Sequence, residues 1–86
     1  MTFTVVWKPA ATAELAKIWL NAEDRAAVTT AAHQIDTALR IDPSIKGESR
    51  SGDRRIMFVA PLGVDFEIHE PDRRVDVLRV WGWPRQ

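Results

Sequence analysis

Apolar positions recur with a period of two at the start of the chain, where Phe3, Val5 and Trp7 alternate with Thr4, Val6 and Lys8. β-Branched and aromatic residues at that period predict a strand, which Pro9 ends. Proline suits the first turn of a helix, and Ala11, Leu15, Ile18 and Ala22 then recur at helical spacing, a stripe that Trp19 widens. Asn21, followed by Ala22, Glu23 and Asp24, reads as an N-cap, so the first helix ends near Leu20 and a second begins almost at once. Its buried face is predicted as Val28, Ala31, Ala32, Ile35, Ala38 and Leu39, and Asp42 with Pro43 stops it. Residues 9–42 are therefore expected to form a helical hairpin.

Residues 42–53 are polar and turn-forming and read as one long loop, a place where function often sits. A strand resumes over 54–60, and Pro61, Leu62 and Gly63 turn the chain. From Val64 to His69 apolar and polar residues alternate, as in a half-exposed antiparallel strand. After a turn at Pro71, Asp72 and Arg73, a last strand runs from Arg74 to Trp81. Strict alternation puts Val75, Val77, Arg79 and Trp81 on one face of it and Leu78 and Val80 on the other; apolar residues on both faces suit a central strand. The order β-α-α-β-β-β predicts an α+β fold: a two-helix hairpin packed on one face of a twisted antiparallel sheet of about four strands, as a single domain over 1–86.

Composition narrows the function classes. In 86 residues, 45% apolar and 28% charged, there is room for one small core, which excludes both a multidomain enzyme and a disordered chain. Twelve basic and twelve acidic side chains cancel, which argues against a protein that coats nucleic acid through a large positive field. The second half is nonetheless rich in arginine: beside Lys46 it carries Arg50, Arg54, Arg55, Arg73, Arg74, Arg79 and Arg85. Their planar forks suit phosphate and carboxylate alike, so an anionic substrate or an acidic partner would find purchase there. With no cysteine, and with His33 and His69 too far apart to show ligand spacing, neither a metal nor a cofactor is expected. No run approaches the roughly 18 to 20 apolar residues of a membrane span, and the first residues do not read as a secretory signal, so a cytoplasmic protein without membrane contact is expected.

Several side chains stand out as candidates. His69 ends the alternating strand on its polar face beside Glu70, with Asp65 and Glu67 in phase, and an imidazole there is a candidate general acid or base. His33 reads as structural. Trp7, Trp19 and Trp81 follow the apolar periods and are assigned to the core, whereas Trp83 lies past the last strand among Gly82, Pro84 and Arg85, placed to stack on a base or receive a partner's side chain. Arg79 is a charge on an otherwise apolar strand face. Either it joins Arg55 in a small anion site or a carboxylate such as Glu67 satisfies it.

This arrangement, together with Val5-Val6-Trp7-Lys8-Pro9-Ala10-Ala11, Glu14-Leu15, Arg55-Ile56, Leu62-Gly63-Val64-Asp65-Phe66-Glu67-Ile68 and Arg74-Val75-Asp76-Val77-Leu78-Arg79-Val80, resembles the RelE/ParE superfamily of bacterial toxins over nearly the whole chain. The resemblance implies the toxin of a type II toxin-antitoxin system, neutralised by a cognate antitoxin. Its target would be the ribosome and its mRNA, through endonucleolytic cleavage, or DNA gyrase, through a non-nucleolytic ParE-like action; a third reading is a non-toxic interaction module. On the nuclease reading, Arg54 or Arg55 matches the first basic position of the RelE-like constellation and Arg85 the arginine after the last strand. Arg55, Arg79, Arg85 and His69 are then the catalytic candidates, with Lys46, Arg50, Arg54 and Trp83 binding RNA or a partner. The other expected arginine falls at Val64 or Asp65, and the chain has no tyrosine.

Overall fold

A computed structural model of the chain describes residues 2–84. The order is β1 (Thr4–Trp7), α1 (Pro9–Asn21), α2 (Arg25–Ile41), a short 3-10 turn (Pro43–Ile45), β2 (Glu48–Ser49), β3 (Arg54–Val59), β4 (Leu62–His69), a second 3-10 turn (Glu70–Asp72) and β5 (Arg74–Gly82). The strands form one sheet in the order β1-β5-β4-β3-β2.

Helix α1 starts at Pro9, as its φ-locked ring favours, and buries Ala11, with Leu15, Ile18 and Ala22 packed on the core. Helix α2 buries Val28, Ala31, Ile35 and Leu39, with Ala32 and Ala38 beside them. Its cap differs from the expectation. Asp24, not Asn21, accepts the N–H of Ala27 (3.0 Å), while Asn21 closes α1 by donating its side-chain amide to the Lys17 carbonyl (2.9 Å). Both residue types cap helices, and the winner is the one whose side chain reaches a free N–H of the next turn.

Three features of the sheet depart from the pattern reading. First, β1 pairs with β5 in parallel, Thr4 opposite Arg74 and Trp7 opposite Val77, in an otherwise antiparallel sheet. No hairpin joins β1 to its neighbour, so no turn imposes the antiparallel sense; the last strand inserts between β1 and β4. Secondly, the loop over 42–53 contains a fifth strand: Glu48 and Ser49 pair with Ile56 and Arg55, and Pro43 is buried. Two residues are too short to show a period. Thirdly, β5 carries a bulge: Phe66 faces Val77 but Asp65 faces Arg79, leaving Leu78 without a partner across the ladder. One extra residue reverses the alternation beyond it. Val80 thus joins Val75 and Val77 in the core (2% exposed), and Trp81 and Arg79 leave that face.

Met57, Leu62, Val64, Phe66, Ile68, Val75, Val77 and Val80 form the sheet's buried face, with Val28, Ile35 and Leu39 of α2 in the same core. Among the described residues no helix packs on the opposite face. Two tryptophans assigned to the core sit at its margin: Trp7 is half-buried with its indole N–H on Asp36 (3.1 Å), and Trp19 lies outside, its N–H on Thr29 (3.2 Å) and the Arg25 guanidinium 4.6 Å above its ring. An indole needs a partner for its one donor, and each found it at the surface. No helix among the described residues is long and apolar enough to cross a membrane.

Candidate functional site

Strand register decides which charged residues meet. The helix-free face is lined by Arg54, Ile56 and Phe58 of β3, Gly63, Asp65, Glu67 and His69 of β4, and Arg74, Asp76, Arg79 and Trp81 of β5. Arg55 belongs to the other side, in one row with Phe66 and Val77. Arg55 and Arg79 therefore leave opposite faces with β4 between them, and the small anion site is not formed.

Each arginine is also engaged. Arg55 donates Nε to the Lys46 carbonyl (2.7 Å) and an NH2 nitrogen to that of Gly47 (3.0 Å), pinning the turn before β2. Arg54 ion-pairs with Asp65, which is 8% exposed. Arg79 grips Glu14 of α1 with two nitrogens, at 3.0 and 2.7 Å. A carboxylate does satisfy Arg79, but it lies on the helix and not at Glu67. The reason is an edge: β1 ends at Trp7 while β5 runs on to Gly82, and Glu14 accepts the Val80 N–H (3.0 Å) that β1 no longer covers. Glu14 occupies a helical position three after Ala11 and four before Ile18. An acid on an apolar stripe was the one available sign that it had a partner.

The charges respond accordingly. The Arg79 hydrogen bonds hold the Glu14 carboxyl below its ordinary value against the opposing effect of burial, with the Val80 N–H adding to the lowering. Arg54, through its hydrogen bond to Asp65, and Arg79, through its bonds to Glu14, hold their protons more tightly than usual. Such guanidiniums are poor general acids. Asp65, Glu67, Asp76 and Glu14 surround Arg54, Arg74 and Arg79, so the face offers no surplus of positive charge to a phosphate.

Of the remaining candidates, Lys46 is half-buried beside that turn and Arg50 is exposed, 3.5 Å from Glu48. His69 sits between two carboxylates, its Nε2 2.9 Å from Glu67 Oε1 and 3.2 Å from Asp76 Oδ2. Neither oxygen is aligned with the ring N–H for a directional hydrogen bond. His33 is exposed on α2. Arg85 lies outside the described residues. Trp83 is 38% exposed and packs on Phe58, ring centres 4.9 Å apart, while Trp81 meets the same ring edge-on at 6.2 Å. These three rings cover the end of the open face. Between them and the α1–α2 turn lies a hollow of about 880 Å³ bordered by Lys17, Asn21, Pro61 and Trp83.

A separate apolar groove of about 500 Å³ runs between the helices, lined by Leu15, Ala16, Trp19, Leu20, Val28 and Ala32. Leu20 is 62% exposed there, and hydrophobic area of this kind marks an interaction surface.

No family model matches the chain, and no curated protein matches its sequence. Solved structures do. The toxin-antitoxin complex RelBE2 from Mycobacterium tuberculosis superposes with a TM-score of 0.77 at 16% identity, covering 99% of this chain and 95% of the other. The chromosomal ParDE toxin-antitoxin system from P. aeruginosa gives 0.69 at 16% identity over 93% and 95%. The fold is that of the RelE/ParE toxins. TrmO from Pseudomonas aeruginosa also matches, with a TM-score of 0.63 at 22% identity over 94% of this chain, which spans 36% of TrmO. A similar fold thus also occurs within a longer chain, and at these identities the likeness speaks for the fold alone.

Proposed function

We propose that this chain is the toxin of a type II toxin-antitoxin pair, neutralised by an antitoxin segment seated in the groove between α1 and α2, and that it acts non-nucleolytically, as a ParE-like gyrase poison. One observation carries the choice of mechanism: among the described residues, the arginines named for phosphate chemistry are held by carboxylates or carbonyls, and Arg55 and Arg79 point from opposite faces. Cleavage of RNA through a 2′-hydroxyl needs converging groups to take a proton, stabilise the pentacovalent phosphorus and protonate the leaving oxygen. An amphipathic antitoxin helix fits the groove, since Leu15, Trp19, Leu20 and Val28 offer an apolar trough for its i, i+3, i+4 anchors. The likeness to chains from RelBE2 and ParDE toxin-antitoxin complexes supports the pairing.

The test is inducible expression of the chain in bacteria with pulse-labelled precursors of DNA and protein. DNA synthesis should stop first while transcripts stay whole. Early arrest of protein synthesis with cut messages would restore the ribosome-dependent endonuclease, and unimpaired growth at high soluble expression would leave the interaction module.

A further inference from the structure

Glu67 and Asp76 are direct partners across β4 and β5, and His69 lies two residues beyond Glu67, on the same helix-free face. Their three nearest ligand atoms all fall within 4.8 Å of one another. We infer that Glu67, His69 and Asp76 bind one divalent first-row transition metal ion, clamping β4 to β5 beside the turn that joins them. This rests on nothing in the toxin reading.

Spacing is the first argument. Zinc bonds to nitrogen and oxygen are about 2.0–2.2 Å long, so neighbouring ligand atoms stand about 3.0 Å apart around an octahedral ion and about 3.4 Å around a tetrahedral one. The observed separations from Nε2, 2.9 and 3.2 Å, bracket the octahedral spacing and fall short of the tetrahedral one. The second argument is the state of the ring nitrogen. Nε2 is closed to solvent yet makes no aligned hydrogen bond, although two carboxylate oxygens converge on it. A lone pair facing two anionic oxygens is repelled by both, and a proton on Nε2 is directed at neither. A cation between the three atoms meets all of them at once.

The surroundings favour a fixed site. Asp76 is 6% exposed at its side chain, and Arg74 holds it with a bond to Oδ1 at 3.0 Å and a longer one to Oδ2 at 3.5 Å, the oxygen that also faces His69 Nε2. Partners of this kind orient ligating carboxylates. Arg74 also subtracts from the local negative charge, so binding is expected to saturate in the micromolar range and not to be a condition of folding. One imidazole and two carboxylates suit Zn2+ or Mn2+ better than Mg2+, and the partly exposed Glu67 and His69 leave the remaining positions to water. Sequence spacing concealed the set because Asp76 enters from the next strand.

The measurement is calorimetric titration of the chelator-stripped full chain with ZnCl2, repeated for the H69A, E67Q and H33A variants, with melting curves for each. One equivalent should bind, and H69A and E67Q should each weaken it at least tenfold while H33A, which removes the other histidine, leaves it intact. At a free Zn2+ concentration about a hundred times the Kd, the melting temperature should rise by at least about 5 °C in the wild type and H33A, and far less in H69A. Cobalt should reproduce the stoichiometry and develop visible d–d absorption that H69A abolishes. Absence of saturable binding, or binding that H69A leaves unchanged, overturns the proposal. So does a rise in melting temperature on adding zinc that is equal in wild type and H69A.

Discussion

Glu14 is expected to hold the fold together at a place where the sheet runs out of strand. Replacing it by alanine removes the acceptor of the Val80 N–H at the β5 edge as well as the partner of Arg79. Stranding a part-buried backbone donor costs about 1–3 kcal/mol, and a charge-assisted bond lies in the upper part of that range. Because Glu14 keeps 27% of its side chain exposed, water recovers a share, and the expected loss for Glu14→Ala is about 2 kcal/mol. For a domain of this size that is roughly 8–16 °C in melting temperature. Glu14→Gln retains an oxygen for Val80 and should lose less. Arg79→Ala leaves the Val80 bond in place and should lose least, since Arg79 is 62% exposed and its ion pair is screened.

The assay is thermal and urea unfolding of the three variants and the Glu14→Ala/Arg79→Ala double mutant, at low and high salt. Salt should narrow the gap between wild type and Arg79→Ala but leave most of the Glu14→Ala loss. The carboxyl is held below its ordinary value in the folded state, so its contribution is complete above the unfolded pKa and vanishes as pH falls through the folded one. The difference between wild type and Glu14→Ala should therefore be flat from pH 6 to 8 and shrink below roughly pH 4. If Glu14→Ala and Arg79→Ala cost the same, the ion pair and not the edge cap is what Glu14 contributes, and the reasoning fails.

Two further substitutions read the backbone. Gly47 has φ +65°, and a Cβ there would lie 2.0 Å from the Ile56 carbonyl oxygen, whereas Gly52 at φ +58° has open space around it. Alanine at Gly52 should cost about 1 kcal/mol for the left-handed conformation alone, and at Gly47 well above that, with loss of the β2–β3 pairing in amide exchange. A Cβ at Gly63 would stand 2.5 Å from Trp81 Nε1, so Gly63→Ala should displace the indole, cost about 1–3 kcal/mol and shift the tryptophan emission as the Phe58, Trp81 and Trp83 cluster opens.

Local pattern was enough for the order of elements, because alternation and helical stripes are properties of neighbouring residues. Phe3 to Trp7 read as a strand, Pro9 as a helix start and the Val28 to Leu39 stripe as a buried face, and each is found so; Val64 to His69 is a strand too, but it begins at Leu62, inside the expected turn, and is buried or half-buried throughout, Asp65 included, where a half-exposed strand was expected. The α+β class and the likeness to RelE/ParE toxins followed from that order. Apolar residues on both faces also marked β5 as an interior strand, but the sense and register of the strand pairs were not in the pattern. The parallel pairing of β1 with β5 depends on where the last strand inserts, and the bulge at Leu78 exchanged the faces of Val80 and Trp81, its trace in the sequence being the charge of Arg79 on a face that strict alternation makes apolar. The candidate site was lost for the same reason. Arg55 and Arg79 look equivalent as charges on strands, but register sends one beneath the β2 turn and the other to Glu14, 65 positions away along the chain. His69 was singled out beside Glu67, yet the carboxylate that completes the cluster, Asp76, arrives only through the β4–β5 ladder. Propensity and period act within one segment; partners for charge are set by which segments the buried face brings together, and only the packed sheet decides that.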